Sequence, residues 1–189
     1  IVGIGQTHHK SRRWDVSLGG LVRGAARRAL DDAEMDWDDI DAVVLGKAPD
    51  LFVQVARLVG DRHDGPAPHF VWVGGETGGP ELDPIRYDVE HAGLGDRMHF
   101  LGHHADPIPW FRLFDVLLLP AREDAFPLVC LEAASIGVPI ICFDNGGMPE
   151  FVGDGERGFV VPYPDLHAMA DRTLEVLGDP ALRERLGRA

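Results

Sequence analysis

One stretch of this chain predicts its fold: Val116-Leu-Leu-Leu-Pro-Ala-Arg-Glu-Asp-Ala-Phe-Pro-Leu-Val-Cys-Leu-Glu-Ala-Ala-Ser-Ile-Gly137. It opens with four apolar residues that stop at Pro120, a pattern typical of a parallel strand covered on both faces. Pro127 suits the first turn of a helix, where the missing N–H costs nothing. Gly137 and Pro139 then end that helix. The stretch therefore predicts a strand, a turn and a helix.

Two carboxylates flank the start of the predicted helix. Asp124 lies in the turn, and Glu132 lies eight residues later on the helix. Ligands of parallel sheets bind beyond the carboxyl ends of the strands, where the free N–H groups of the next helix favour an anion. The spacing places the two side chains to accept hydrogen bonds from hydroxyls on either side of a docked pyrophosphate. A sugar nucleotide has this layout, but a surface turn with solvated charges fits the spacing equally well.

The same residues resemble the signature of the group 1 glycosyltransferases, in which a Glu is followed, after seven residues, by a second Glu. Asp124 and Glu132 stand at these two positions, and the resemblance covers residues 47–189. The segments that carry it are Glu123-Asp-Ala-Phe-Pro-Leu-Val-Cys-Leu-Glu-Ala133, Ser135-Ile-Gly-Val-Pro-Ile-Ile141, Asp144-Asn-Gly-Gly-Met-Pro-Glu-Phe-Val152 and Gly155-Glu-Arg-Gly-Phe-Val-Val-Pro162.

The resemblance implies both a fold and an activity. Such enzymes are retaining transferases of the GT-B fold, so residues 47–189 would form the Rossmann-like donor half, an α/β domain with a doubly wound parallel sheet. The donor would be a nucleotide-diphosphate sugar, with no metal or other cofactor. Asp124 would hold the transferred sugar and Glu132 the ribose, as the catalytic pair. The implied donor-binding residues are Lys47, Gly74, Gly102, His103, Phe126, Leu128, Val129 and Gly147.

Several of these assignments leave a structural alternative open. Lys47 stands where the family's phosphate-binding Lys is expected, but a solvated loop lysine fits as well. The family's Arg, a few residues earlier, has no counterpart here, which should weaken pyrophosphate binding. Gly147, with Gly146 and Glu150, resembles a donor-side loop, although the start of a helix needs such residues for structural reasons alone. Asp124 is one methylene shorter than the usual Glu, which shortens its reach.

Residues 1–46 follow a different pattern, which predicts a strand, a helix and a second strand at Ile40–Gly46. Its part Asp41–Gly46 can supply the first strand of a donor domain. The first fifty residues are similar to the N-terminus of the thiolase family in Ile1-Val-Gly-Ile-Gly-Gln-Thr7 and Asp38-Asp-Ile-Asp-Ala-Val-Val44. Neither Cys130 nor Cys142 stands in a thiolase-like context, so no thiolase activity is implied. The chain therefore resembles a fusion of a β-α-β extension, residues 1–46, with a donor domain, residues 47–189.

Strands and helices alternate regularly beyond this point. A helix is predicted from Pro49 through Val59, and others lie between the later strands. Such alternation implies parallel pairing with right-handed crossovers, and hence one doubly wound sheet. The predicted strands are His69–Val73, Met98–Leu101, Val116–Leu119, Val138–Phe143 and Gly158–Val161.

Composition and charge exclude several classes of partner. The chain has 189 residues, 45% of them hydrophobic and 26% charged, which is typical of a globular domain. Its formal net charge of −13 argues against nucleic acid or anionic lipid as a partner. No apolar run has the length of a transmembrane segment. The two cysteines show no metal-ligand or redox spacing, which indicates a reducing, cytoplasmic location and no metal site.

The length of the chain limits the activity that is expected of it. GT-B enzymes bind the acceptor on a separate N-terminal domain, for which residues 1–46 are too few. Transfer to an unidentified acceptor would therefore require a missing domain. Two alternatives remain open: a non-catalytic nucleotide or nucleotide-sugar binding module, and a thiolase-like coenzyme A protein fragment. The sequence does not specify the base, the sugar or the oligomeric state.

Overall fold

The computed structural model describes residues 48–75, 77–80, 82–122 and 124–188. The thiolase-like segment 1–46 and the proposed phosphate ligand Lys47 lie outside these residues. Helices and strands alternate along the described chain. In order they are α1 Pro49–Arg62, β1 Phe70–Val73, α2 Asp83–His91, β2 Met98–Gly102, α3 Ile108–Phe111, β3 Leu117–Leu119, α4 Leu128–Ala134, β4 Ile140–Phe143, α5 Met148–Val152, β5 Gly158–Val161, α6 Leu166–Gly178 and α7 Pro180–Gly187.

Every strand pairing among the described strands is parallel, which confirms the predicted α/β class. β1 pairs with β2, while β4 pairs with β3 on one side and β5 on the other. The described strands thus form a two-stranded sheet and a three-stranded sheet. The sequence predicted a single sheet. The strand predicted at Asp41–Gly46 lies outside the described residues, so these two sheets do not include every strand of that prediction.

Strand β4 is covered on both faces, as its continuous apolar run predicts. Ile141 and Phe143 pack in the larger core with residues of α1 and α6. Ile140 and Cys142 point the other way, into a second cluster with residues of α4 and α5. This alternation buries all four residues of the strand, since side chains alternate between the faces of a sheet.

Strand β3 has the same apolar composition and packs on both faces, as predicted: Leu118 lies against the larger core, and Leu117 and Leu119 lie against the second cluster. All three residues are nevertheless only half-buried. Within the described ranges it pairs with β4 alone and is an edge strand. Its neighbour in the sequence, Val116, lies outside the strand. The apolar run therefore identified a parallel strand correctly but overestimated its burial.

Two predicted elements are shorter than expected. Helix α3 is a single turn, where the prediction extended it from Pro107 to Phe114; beyond it the N–H groups of Leu113 and Phe114 donate to carbonyls three residues back, in tighter turns. Strand β4 begins at Ile140 instead of Val138 because Pro139 cannot donate to the ladder. The N–H of Val138 instead donates to the carbonyl of Ala133, 3.1 Å away.

Helix α4, which carries Glu132, differs from its prediction at the first residue. Pro127 precedes the helix as its N-cap, with an extended backbone at ψ 128°, so its placement in the first helical turn was wrong by one residue. At the other end Gly137 adopts a φ of +81° and its N–H donates to the carbonyl of Ala134, which confirms it as the terminator. Ser135 is the C-cap.

The two cysteines are buried in the second core cluster and should be chemically inert in the native protein. Cys130 is 0% exposed and Cys142 is 1% exposed. Burial raises the pKa of each thiol to about 12. Because the thiolate is the reactive form, we expect neither thiol to react with a disulfide reagent at pH 8.

Ellman titration in buffer and in denaturant tests this expectation. Both thiols should react only after unfolding, and Cys130→Ala or Cys142→Ala should each reduce the unfolded count from two to one. Rapid stoichiometric labelling of the native chain would show that this cluster is open to solvent.

Candidate functional site

The turn between β3 and α4, residues 120–127 and here called the site turn, carries the first predicted catalytic residue. Asp124 is half-buried in this turn, and Glu132 is half-buried on α4. The carbonyl of Glu132 accepts a hydrogen bond from Ser135 Oγ at 2.7 Å. The structure thus places one carboxylate before the helix and the other within it, as the sequence spacing predicts. Their roles stay predictions.

The loop after β4, residues 144–147 and here called the glycine loop, lies against the site turn. The N–H of Gly147 donates to the carbonyl of Ala125 at 2.8 Å. Gly146 has a φ of +64°, and a Cβ at this residue would lie 1.9 Å from the carbonyl oxygen of Asp124. A Cβ at Gly147 would lie 2.5 Å from the carbonyl oxygen of Ala125. Both glycines are therefore needed so that the two backbones can approach this closely.

This contact gives Gly147 a structural role, which the sequence had left open beside donor binding. Its N–H is used by the site turn, so its contribution to a donor stays a prediction. Glu150, in the first turn of α5, is exposed.

Asn145 in the glycine loop holds the site turn through its side chain. Its Nδ2 donates to the carbonyl of Ala121 at 3.2 Å and to the carbonyl of Arg122 at 2.9 Å. Carbonyl oxygens only accept hydrogen bonds, so the amide nitrogen, not the amide oxygen, must face them. The two loops at the carboxyl ends of β3 and β4 are therefore joined by side-chain as well as backbone hydrogen bonds.

Arg122 ties the site turn to the start of α1. Its guanidinium forms a two-bond ion pair with Asp50, Nη1 to Oδ1 at 3.0 Å and Nη2 to Oδ2. The hydrogen bond from Arg122 lowers the pKa of the Asp50 carboxyl and raises the pKa of the guanidinium. A paired, planar geometry of this kind orients the side chains as well as attracting them. The beginning of α1 and the site turn are thereby fixed to each other.

The lowered pKa of Asp50 makes a testable contribution to stability. A depressed folded-state pKa stabilises the protein above the unfolded pKa of about 3.9, and this stabilisation is lost as the pH falls through the folded value. We expect Asp50→Asn to cost about 0.5–1 kcal/mol at pH 7, a small value because water screens these partly exposed groups. The cost should disappear in strong acid.

Urea unfolding at pH 7, 5 and 3 measures this difference. Asp83→Asn, which removes an acidic residue from the first turn of α2, is the matched control and separates the ion pair from the effect of a charge at a helix start. A cost for Asp50→Asn that stays constant from pH 7 to pH 3 would contradict the assignment.

A second group of predicted site residues lies at the carboxyl ends of β1 and β2. The N–H of Gly74 donates to the carbonyl of Gly102 at 2.8 Å. Both glycines have positive φ, +116° and +73°. Gly102 is buried, and a Cβ there would meet Thr77 Cγ2 at 2.7 Å, whereas the space at Gly74 is open. His103 follows and is exposed. The structure brings these three residues together, and their contact with a donor stays a prediction.

The apolar residues at the start of α4 are largely exposed. Phe126 is 43% exposed and Leu128 is 70% exposed. The ring of Phe126 meets that of Phe151 edge-on, with centroids 5.7 Å apart. No side chain caps this helix. The N–H groups of Phe126, Leu128 and Val129 remain the predicted phosphate donors.

A groove of about 510 Å³ lies away from these residues. It is lined by residues of α1, including Arg57 and Asp61, and by the start of α6, including His167. None of the predicted site residues that the structure describes lines it. The chemistry at the strand ends identifies the candidate site better than the size of this groove, because an open edge encloses little volume.

The described part of the chain shows neither a membrane span nor a metal cluster. Of its helices, none combines the length and the apolarity needed to cross a bilayer. Within the same residues no three His, Cys, Asp or Glu side chains lie close enough together to hold a metal ion. The expectations about cofactor and location stay predictions.

Comparison with known protein families shows which family the chain belongs to. The family model described as glycosyl transferases group 1 matches residues 41–189. The chain belongs to the group 1 glycosyl transferases.

Curated relatives of this group 1 glycosyl transferase chain act on different substrates. The lipopolysaccharide core biosynthesis mannosyltransferase LpsB of Rhizobium meliloti is 36% identical over 76% of the chain and 40% of its own length. The D-inositol 3-phosphate glycosyltransferase of Kribbella flavida is 31% identical over 88% of the chain and 41% of its own length. The latter alignment must include part of residues 1–46. The chain spans about two fifths of the length of these relatives.

Solved structures show the same fold. A TarM variant from S. aureus, in complex with UDP and other ligands, superposes with a TM-score of 0.70 at 24% identity, over 77% of this chain and 29% of TarM. The C-terminal domain of the group 1 glycosyl transferase LpcC from Francisella tularensis gives 0.65 at 25% identity, over 77% and 76% of the two chains. Sucrose-phosphate synthase from Thermosynechococcus elongatus gives 0.63 at 30% identity, over 73% and 35%. The described α/β unit thus corresponds to one half of the GT-B fold.

Three residues that shape the site turn were not predicted from the sequence. Asn145 is the second residue after β4 and precedes two glycines, a position that indicates a loop but not the partner of that loop. Arg122 and Asp50 are 72 residues apart, and nothing local to either predicts their pairing.

Proposed function

We propose that this chain is the donor-binding half of a glycosyltransferase that takes a nucleotide-diphosphate sugar and transfers the sugar with retention of anomeric configuration. Membership of the group 1 glycosyl transferases over residues 41–189 carries the proposal. The site turn supports it, because Asp124 and Glu132 flank the start of α4 on the carboxyl side of β3. In parallel sheets this side is where ligands bind.

Each acidic residue has a distinct proposed role. Glu132 accepts hydrogen bonds from the ribose hydroxyls, and Asp124 accepts hydrogen bonds from the transferred sugar. Both residues are half-buried, so they remain accessible to solvent and to a ligand. The positions of the two residues match the family signature, with Asp124 one methylene shorter than the usual Glu.

The reaction breaks the bond between the anomeric carbon and a β-phosphate oxygen, which keeps the electron pair. A hydroxyl oxygen of the acceptor, or water in hydrolysis, forms the new bond to that carbon and loses its proton. Catalysis therefore depends on stabilising the charge that grows on the leaving nucleoside diphosphate. Lys47 and the N–H groups of Phe126, Leu128 and Val129 are the proposed donors. Gly74, Gly102 and His103, beyond β1 and β2, would contact the nucleotide base and backbone. No metal is required in this scheme.

The length of the relatives bears on whether this chain alone can transfer a sugar or can only bind the donor. The relatives are more than twice as long as the aligned part of this chain. The acceptor site of a complete enzyme would lie in the part of the relatives that this chain does not span. A second candidate is a module that binds nucleotide or nucleotide sugar without catalysis, and Asp124, which is shorter than the usual Glu, favours it.

Calorimetry with UDP, GDP, ADP and coenzyme A tests the proposal. We expect one nucleoside diphosphate to bind and coenzyme A not to bind. Slow hydrolysis of the matching nucleotide sugar, with the product sugar released in the donor's anomeric configuration, would favour the enzyme over the binding module. Binding of coenzyme A alone would instead support the thiolase-like alternative, and binding of no nucleotide would refute the proposal.

A further inference from the structure

We propose that Asn145 is a positioning residue for Asp124, and that it sets the contact with the transferred sugar without touching the donor. This inference rests on the proposed function, since it assigns Asp124 to the sugar and Glu132 to the ribose. Its structural basis is the pair of hydrogen bonds from Asn145 Nδ2 to the carbonyls of Ala121 and Arg122.

The site turn needs such support because its described residues, 120–122 and 124–127, have no regular secondary structure. Its backbone is held from the glycine loop at both ends. On the N-terminal side of Asp124, Asn145 donates to the carbonyls of Ala121 and Arg122; on its C-terminal side, Gly147 donates to the carbonyl of Ala125. Asp124 therefore lies between two attachments to the same neighbouring loop, and its backbone position follows that of the loop.

Glu132 is held in a different way. It lies on α4, whose Cys130 and Ala133 are both 0% exposed and packed in the core. Loss of the Asn145 amide should leave α4 in place, because both hydrogen bonds of that amide are made to the site turn and neither to α4. The two predicted catalytic carboxylates are thus positioned independently, one by a loop contact and the other by helix packing.

This independence predicts a split between two affinities. A variant that releases the site turn should bind the nucleotide sugar more weakly, because Asp124 loses its place beside the sugar. The same variant should lose little affinity for the matching nucleoside diphosphate, because that ligand lacks the sugar and two of its three proposed N–H donors, those of Leu128 and Val129, lie on α4. A general loss of structure would weaken both affinities together.

Asn145→Asp and Asn145→Ala separate the hydrogen bonds from the size of the side chain. Asp keeps the shape but places an acceptor oxygen against two carbonyl oxygens, so it should have the larger effect of the two. Gln54→Ala, which removes an exposed amide from α1, is the matched control.

Calorimetry measures both ligands with each protein. We expect Asn145→Ala to weaken nucleotide-sugar binding about tenfold, the scale of one lost hydrogen bond to a charged group, with nucleoside diphosphate affinity within about twofold of wild type. Gln54→Ala should match wild type in both. Equal losses for the two ligands, or no loss for either, would overturn the inference. If wild-type protein binds no nucleoside diphosphate, the proposed function itself fails.

A second measurement needs no ligand, because Asn145 is the only asparagine of the chain. Selective ¹⁵N-asparagine labelling therefore gives one pair of side-chain amide proton signals. We expect these protons to exchange with solvent more slowly in the native protein than in urea, and the pair to be absent in Asn145→Ala. Exchange as fast as in the unfolded chain would show that the amide does not hold the site turn, and would overturn the inference whatever the ligand data show.

Discussion

Glu132→Ala is expected to weaken nucleoside diphosphate binding by about 1–3 kcal/mol, the scale of a lost charge-assisted hydrogen bond. Glu132 is half-buried on α4, and Cys130 and Ala133 of the same helix are buried. Truncation to Ala suits a helix interior, so the fold should be kept while the acceptor for the ribose is removed. The affinity loss should therefore appear without a matching loss of stability.

Calorimetry with the nucleoside diphosphate that binds the wild type gives this number, and thermal unfolding of the same protein gives the control for folding. Glu90→Ala, which removes an exposed glutamate from α2, should bind as the wild type does. A Glu132→Ala protein with wild-type affinity would remove Glu132 from the site, and with it the ribose contact on which the proposed orientation of the donor depends.

The sequence predicted well those features that depend on local pattern. The apolar runs at β3 and β4 identified parallel strands, and Gly137 was recognised as the end of α4 from its place after a helical pattern. The same runs could not distinguish burial in the two strands, because burial depends on how many neighbours a strand has. The run at β3 was predicted to be covered on both faces, and it packs against core residues on both, yet β3 is half-buried whereas β4 is buried throughout.

Prediction of the site from the sequence has the same limit, because it depends on local pattern. Asp124 and Glu132 share one stretch of sequence, so their placement around the start of α4 could be predicted from their spacing. The parts that hold Asp124 come from distant stretches: Asn145 lies 23 residues beyond Arg122, and Asp50 lies 72 residues before it. Contacts between such distant residues depend on the order of the strands in the sheet, and no pattern in the neighbouring sequence indicates them. Gly146 and Gly147 were noticed as a loop, but not as the place where two backbones meet.

Gly146→Ala is expected to destabilise the protein by about 2–5 kcal/mol, because two costs add. A non-glycine residue at a φ of +64° costs about 1–2 kcal/mol. The new Cβ would also lie 1.9 Å from the carbonyl oxygen of Asp124, a backbone atom that cannot move aside as a side chain can. Relief of that overlap adds about 1–3 kcal/mol, the usual cost of overpacking. Chemical denaturation measures the sum.

Gly155→Ala separates the two costs. Gly155 has a φ of +81°, but a Cβ there would meet nothing within 4 Å, so only the conformational cost applies. We expect this control to lose about 1–2 kcal/mol and to keep wild-type ligand binding. Gly146→Ala should lose more stability and also bind nucleotide sugar more weakly, since the overlap is relieved only if the glycine loop and the Asp124 backbone move apart. Equal stability losses in the two variants would mean that the loops do not approach as closely as described, and Asp124 would then lack the support on which its proposed role depends.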